Sequence, residues 1–136
     1  SLMPPLLVRG VKEALAEVRG PVILISNLLT EGRGMGGFTA ADEVRWVSHA
    51  IGRPVDVVIA NTSKPSPETL ARYAAENKMP LELGDLDPNI ETVLGPFWNT
   101  DIARHDRRRL SFAVWSALSA RLLQERNEVA QPVQRI

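Results

Sequence analysis

Two short apolar runs, each followed directly by polar residues, constrain the fold more than any other feature of this sequence. Val22 to Ile25 and Val55 to Ala60 are apolar at almost every position and rich in β-branched residues. Strands that are buried on both faces have this composition, because helices cover both sides of a parallel sheet. We therefore predict two strands of a parallel sheet with helices on either side.

The segment between these runs carries the signals of a helix with defined ends. Thr39 is followed three residues later by Asp42, which resembles a capping box. Gly52 follows the last apolar residue of the repeat, as glycine commonly does at a helix end. The pattern predicts a helix over 40–51 with one apolar face, formed by Val44, Val47 and Ile51.

Similar signals divide the rest of the chain into alternating elements. They predict helices over about 5–20, 67–77 and 107–126 and short strands over 80–83 and 90–94. The predicted inner face of the first helix is Leu7, Val11, Leu15 and Val18, and that of the last is Leu110, Ala113, Val114, Ala117, Leu118 and Leu122. Alternation of helix and strand is typical of layered α/β proteins. We expect a three-layer Rossmann-like half-domain over 1–126, with a small, mostly parallel sheet, and a C-terminal tail over 127–136.

Composition excludes several classes of function. Sixteen Lys and Arg balance sixteen Asp and Glu, so the formal net charge is zero, and we expect neither nucleic acid nor a membrane surface as a partner. Cysteine is absent, which excludes disulfide scaffolds and thiolate metal sites. With two histidines far apart in sequence, we expect no metal site of the usual kind. No apolar run approaches the length of a membrane span, so we expect a soluble, cytoplasmic protein.

Polar residues follow both apolar strands, at the point where ligands of parallel sheets bind. Asn27 and Thr30 come after the first strand, and Asn61 comes after the second. Because the carboxyl ends of parallel strands share one edge, these side chains could hold a polar ligand such as a phosphate or nucleoside. The alternative is local, since Asn and Thr also satisfy the backbone of turns.

Three further features could take part in the same site. Arg104 precedes the last helix and could pair with a phosphate, or it could be solvated. Tyr73, the only tyrosine, could contact a ligand or simply be half-buried. The stretch Gly32 to Gly37 could be a loop that requires positive φ, or a lid in which Arg33 contacts an anion. No nucleophile and base, and no pair of acids, stand at a diagnostic spacing, so we assign no catalytic residue.

Several segments, in the same order, resemble the 2-phospho-L-lactate transferase (CofD-like) family. They are the N-terminal stretch SLMPPLLVRGVKEAL, Ile25 to Thr30, Gly37 to Asp42, Val57 to Asn61 and Arg104 to Asp106. The resemblance extends over about residues 2–112. The same family includes the gluconeogenesis factors of the YvcK type, which bind UDP-sugars.

The resemblance implies a Rossmann-like fold in a protein about twice as long. Transferases of the family move a phospholactyl-type group from a guanosine diphosphate-linked donor to a deazaflavin, with Mg²⁺. YvcK-type members instead bind nucleotide sugars and regulate carbon metabolism. Residue by residue, Asn27 and Thr30 match the family's Asn-x-x-Thr, while Tyr73 and Arg104 match ligand contacts of the regulatory branch.

The chain also departs from the family pattern. The Gly-rich nucleotide loop of the family is absent, and Gly32 to Gly37 replaces a shorter, more acidic loop. We therefore expect the C-terminal portion of a CofD-like protein, contributing one wall of a nucleotide-linked ligand site and inactive in isolation. Its partner would be a missing N-terminal half or a second copy of the chain. The alternatives are a non-catalytic UDP-sugar-binding regulatory module and a structural assembly segment.

Overall fold

Three parallel strands carry the remaining elements of the chain. The computed structural model describes residues 3–32, 34–99 and 102–130. In chain order the elements are α1 (Met3–Leu6), α2 (Val11–Ala16), β1 (Ile23–Ile25), α3 (Ala40–Ile51), β2 (Val57–Asn61), α4 (Pro67–Ala74), β3 (Glu91–Gly95) and α5 (Arg107–Ala130). The order of strands in the sheet is β1-β2-β3. The predicted α/β architecture with a small parallel sheet is confirmed.

The central strand β2 is buried on both faces, as its apolar run predicts. Ile25 of β1 pairs with Ile59, and Asn61 at the end of β2 pairs with Gly95 of β3. Val58 packs into the core on one face, while Val57 and Ile59 pack into the core on the other. This register brings the carboxyl ends of the strands to one edge of the sheet, which we call the carboxyl edge.

The first core lies between the sheet and α3. Thr39 and Asp42 form the predicted capping box, in which the Asp42 amide donates to Thr39 Oγ1 over 3.2 Å. The helix ends at Gly52, whose φ of 73° is left-handed. Val44, Val47 and Ile51 are all buried, as predicted. Burial of each such side chain contributes about 1.5–3 kcal/mol, so this packing fixes α3 on the sheet.

The second core lies between the opposite face of the sheet and α5. Asp106 caps this helix by accepting from the Arg108 and Arg109 amides, at 3.0 and 3.1 Å. Ala113 and Ala117 are buried against the sheet. The prediction that Leu122 is an inner residue is wrong, because Leu122 is 48% exposed. A helix of 24 residues is about 36 Å long and a strand of five about 17 Å, so the end of α5 passes beyond the sheet.

The N-terminal region differs from the prediction of one continuous helix. Gly10 adopts a left-handed φ of 88° between α1 and α2. This break rotates the second helix relative to the first, so the predicted face is split. Leu7 is 74% exposed, whereas Leu6 and Leu15 pack against the first core.

The segment after α4 also differs from the prediction. The helix ends at Ala74 instead of Asn77, because Asn77 has a left-handed φ of 58°. The strand predicted over 80–83 is not formed. Instead Pro80 and Glu82 make isolated bridges to Leu29 and Thr39, since proline lacks the N–H that a strand ladder needs. None of the helices in the described ranges has the length and apolar content to cross a membrane.

Candidate functional site

A cavity of about 310 Å³ lies beyond the carboxyl end of β1 and brings together three of the five predicted site residues. Asn27 and Thr30 reach it from the loop after β1, and Tyr73 reaches it from α4. Glu31, Lys78 and His105 complete its polar wall. We call this space the rim cavity. A larger cavity of about 670 Å³ runs along α3 and contains none of the predicted residues.

Thr30 holds the wall of the rim cavity in place. It is buried, and its Oγ1 accepts from the Met79 amide over 3.0 Å. Its own amide donates to the Met79 carbonyl over 2.8 Å. These paired hydrogen bonds fasten the loop after β1 to the segment after α4, so the cavity has a defined floor.

Tyr73 connects α4 to the loop that precedes α5. Its Oη accepts from the Ala103 amide over 3.0 Å. Its ring is half-buried and packs against Leu28, Leu29 and Trp98. Tyr73 is therefore half-buried, and it also lines the rim cavity.

His105 lies between the rim cavity and a second cavity. Its Nε2 is 3.1 Å from the Ser26 carbonyl oxygen, and because a carbonyl only accepts, this nitrogen carries the hydrogen. Burial lowers the pKa of His105 below its ordinary value. The neutral ring thus fixes the loop before α5 against the end of β1.

The second cavity, of about 480 Å³, adjoins the rim cavity at His105. We call it the arginine cavity, because Arg104, Arg107 and Arg108 line it. All three side chains are exposed to solvent. Arg104, the fourth predicted site residue, therefore lies in a neighbouring cavity that shares the lining residue His105 with the first.

Asn61 lies at the same edge of the sheet but lines neither cavity. Its Oδ1 accepts from the amides of Phe97 and Trp98, at 2.9 and 3.1 Å, and from the Ser63 hydroxyl at 2.8 Å. Its Nδ2 donates to the Ser63 carbonyl over 2.6 Å. The side chain thereby ties the loop after β2 to the loop after β3, which is the local interpretation weighed from the sequence.

Glu43 is a residue near the site that the strand-end pattern does not predict. Its Oε2 accepts from the Asn27 amide over 3.1 Å, and the residue is only 9% exposed. Desolvation raises the pKa of Glu43, against the opposing effect of its hydrogen bonds to Asn27 and Ser26. The sequence feature that could have indicated the role of Glu43 is a carboxylate directly before Val44, on the apolar face of α3.

The glycine-rich stretch has the backbone that its composition predicts. Gly32, Gly34 and Gly37 all have positive φ. The proposed anion contact Arg33 lies outside the described residues.

Metal binding, which the family resemblance implies as Mg²⁺, was tested on the donors present. In the described part of the chain no group of three or more His, Asp or Glu side chains is arranged to hold a metal ion. Glu43 and Glu31 both line a cavity of about 260 Å³ beside Asn27, and two carboxylates would hold Mg²⁺ only together with waters or the phosphates of a ligand.

The sheet and its polar carboxyl edge define a Rossmann-like α/β protein with cavities beyond the strand ends. A protein-family model described as "2-phospho-L-lactate transferase CofD" matches residues 1–97. The chain belongs to the CofD family.

Relatives with similar sequences carry one name, "Putative gluconeogenesis factor". The protein from Deinococcus radiodurans is 28% identical over 84% of this chain and 25% of its own length. That from Thermotoga maritima is 29% identical over 82% of this chain and 38% of its own. That from a Nostoc species is 34% identical over 61% and 19%. The chain thus spans well under half the length of these curated relatives.

A solved structure has the same fold. A UPF0052 family member from Bacillus halodurans matches with a TM-score of 0.73 and 26% sequence identity. The match covers 85% of this chain and 39% of that one. The predicted resemblance to the CofD-like family is confirmed at the level of both sequence and fold.

Proposed function

We propose that this chain contributes one wall of a binding site for a nucleotide-linked small molecule, formed by the rim cavity and the arginine cavity. One observation carries the proposal: Asn27, Thr30 and Tyr73 line the same cavity at the carboxyl edge, beside Arg104. Parallel α/β proteins bind ligands at this edge. A cavity of about 310 Å³ lies at the lower end of the range for small-molecule sites, as expected for a partial wall.

The two cavities would bind different parts of such a ligand. Arg104, Arg107 and Arg108 would neutralise a diphosphate, because guanidinium groups bind phosphate oxygens in pairs. The half-exposed Tyr73 ring would pack against a base or sugar, and Asn27 would donate to and accept from its polar groups. Thr30 would hold the loop after β1 in position rather than contact the ligand, since its hydroxyl already accepts from the Met79 amide.

Two functions of the whole protein are compatible with this wall. The description of the matching family model supports a phospholactyl-type transferase of deazaflavin coenzyme biosynthesis. Phospho-group transfer depends mainly on positioning and charge neutralisation, which arginines and a shaped cavity supply. The name of the curated relatives, a gluconeogenesis factor, supports a role in carbon metabolism. The second function that we propose is therefore a non-catalytic regulator that binds a UDP-sugar.

Isothermal titration calorimetry tests the binding proposal. UDP-glucose and GDP would be titrated into the natural gene product that contains this sequence. Arg104→Ala should weaken binding by about 1–3 kcal/mol, the scale of a hydrogen bond to a charged group. Arg126→Ala on the exposed end of α5 is the matched control and should leave affinity unchanged. Equal affinity in the Arg104→Ala and unchanged proteins would remove the arginine cavity from the site.

Turnover separates the two functions. The same gene product would be incubated with a guanosine diphosphate-linked phospholactyl donor and a deazaflavin acceptor. Transfer of the phospholactyl group supports the transferase. Binding of UDP-glucose without any transfer supports the regulator.

A further inference from the structure

We propose that the outer face of α5 joins two copies of the protein through an antiparallel pair of helices. Four large apolar side chains on this helix are exposed to solvent: Phe112 (76%), Trp115 (67%), Leu122 (48%) and Leu123 (57%). We call them, together with the small, exposed Ser119 that lies among them, the outer stripe. None of these residues lines the rim cavity or the arginine cavity, so the proposal does not depend on the proposed ligand site.

The outer stripe has the spacing of a helix that packs along a second helix. Phe112, Trp115, Ser119 and Leu122 follow one another at intervals of three, four and three residues. This spacing keeps the side chains on one face of an α-helix, and it is the repeat found where helices pair lengthwise. The stripe is therefore a continuous surface, unlike the single exposed apolar residues that are common on soluble proteins.

The outer stripe points away from the sheet of its own chain. Ala113 and Ala117 of the same helix are buried against the sheet. Successive residues of an α-helix are turned by about 100°, which places Trp115 and Ser119 almost opposite these two alanines. Further helices of the same layer would pack beside α5 on the sheet and would leave this outward face uncovered. We therefore infer that a separate molecule covers the stripe.

The stripe is complementary to itself when two copies are related by a two-fold axis. Its aromatic residues precede Ser119 and its leucines follow it. An antiparallel pair centred near Ser119 places the aromatic half of one helix against the leucine half of the other, and the small serine side chain allows close approach at the axis. A parallel pair would instead bring together the basic first turns of both helices, Arg107 to Arg109, which repel each other.

The exposed area of the stripe is that of a weak but specific dimer. The four apolar side chains expose about 500 Å² in each copy, on the usual areas of such side chains. Pairing would bury about 1,000 Å² in total, which is near the minimum for a biological interface. We expect a dimer that dissociates on dilution.

Sedimentation velocity of the natural gene product that contains this sequence tests the proposal. The unchanged protein should show a monomer–dimer equilibrium in which the dimer grows with concentration. Trp115→Glu and Leu122→Glu each place a charge in the apolar interface and should raise the dimer Kd at least about tenfold. Leu7→Glu is the matched control, because Leu7 is also exposed but lies outside α5, and it should leave the equilibrium unchanged. Far-UV circular dichroism should show the same fold in all variants, since the substituted side chains are exposed.

Cysteine cross-linking tests the antiparallel arrangement. This sequence contains no cysteine, so Ser119→Cys places one thiol at the proposed axis, with any cysteine elsewhere in the gene product replaced by serine. Under mild oxidation it should form a disulfide between two copies. Ser111→Cys should not, because an antiparallel pair separates the two copies of this residue, which lies more than two turns from the axis. Cross-linking of Ser111→Cys in preference to Ser119→Cys would contradict the arrangement.

Three further results would overturn the proposal. A dimer with the same Kd in the unchanged, Trp115→Glu and Leu122→Glu proteins would mean that another surface joins the copies. A protein that stays monomeric, with Trp115 protected from hydroxyl radicals, would mean that the rest of the gene product covers the stripe. A monomer in which Trp115 reacts would leave the stripe to a partner other than a second copy.

Discussion

The Asn27 amide donates to Glu43 Oε2 over 3.1 Å, so a carboxylate on α3 fixes the loop that begins at the end of β1. The interaction joins residues 16 apart in sequence. Through it, the helix that covers one face of the sheet also shapes the rim cavity. The hydrogen bonds around this cavity and the buried groups that form them give the following predictions.

Glu43→Gln should stabilise the chain at neutral pH. Burial raises the pKa of Glu43 above 4.5, so the folded state binds the proton more tightly than the unfolded state. Stability from this group is therefore fully present below pH 4.5 and is lost as the pH rises through the folded pKa. Glutamine keeps an acceptor for the Asn27 amide without the charge. Urea unfolding at pH 4 and pH 7 measures the difference, which should grow with pH.

Glu68→Gln is the matched control for this prediction. Hydrogen bonds to its own amide and to Ser66 lower the pKa of the exposed Glu68 carboxyl. Its substitution should therefore have the opposite pH trend, with a loss of stability at pH 7 relative to pH 4. An effect of Glu43→Gln that did not change between these two pH values would contradict the assignment.

His105→Gln should remove part of the acid sensitivity of the fold. Burial lowers the pKa of His105 below 6.5, so the unfolded state binds the proton more tightly. Stability is present above pH 6.5 and is lost as the pH falls through that value toward the folded pKa. Unfolding measured at pH 5 and pH 7 should show a smaller difference in His105→Gln. The exposed His49 is the control, and His49→Gln should retain the difference found in the unchanged chain.

Asn61→Ala should destabilise the chain by about 1–3 kcal/mol, because the amides of Phe97 and Trp98 each lose a hydrogen bond worth about 0.5–1.5 kcal/mol. Asn89, whose side chain bonds only to Asp87 on the surface, is the control and should change stability by about 0.5 kcal/mol or less. Chemical denaturation of both variants measures the effects. Equal stabilities would mean that Asn61 does not tie the two loops together.

Gly84→Ala should destabilise the N-terminal end of α3. Gly84 has a φ of 65°, and a Cβ there would lie 2.5 Å from Thr39 Oγ1, within the capping box. Strain and the displaced cap should together cost about 1–3 kcal/mol. Gly36→Ala is the control, since Gly36 has no positive φ and nothing lies within 4 Å of the added atom. Thermal unfolding measures the Tm of both variants, and equal values would contradict the prediction.

The sequence predicts best what is determined locally. α3 begins and ends where predicted, because Thr39, Asp42 and Gly52 act within one helical turn of its ends. The first helix was not predicted correctly, since the same apolar spacing is interrupted by the left-handed backbone at Gly10. The helix propensity of the residues in this segment does not reveal the left-handed conformation of Gly10.

The grouping of the candidate residues was predictable only as far as the positions of the strand ends determine it. Asn27 and Tyr73 line one cavity because the parallel register and the position of α4 bring their segments together. Glu43, Lys78 and the bond from His105 to Ser26 depend on contacts between distant segments. Their local sequence does not indicate these contacts, except that Glu43 places a charge on the apolar face of α3.

Residue-specific NMR titration with UDP-glucose tests the central claim most directly, since it reports where a nucleotide-linked ligand binds. The account predicts that the amide signals of Asn27, Tyr73 and His105 shift together and saturate at one ligand concentration. The Ser48 amide, beside the larger cavity along α3, should not move. Shifts centred on Ser48, or no saturable shift at Asn27, Tyr73 and His105, would contradict the claim.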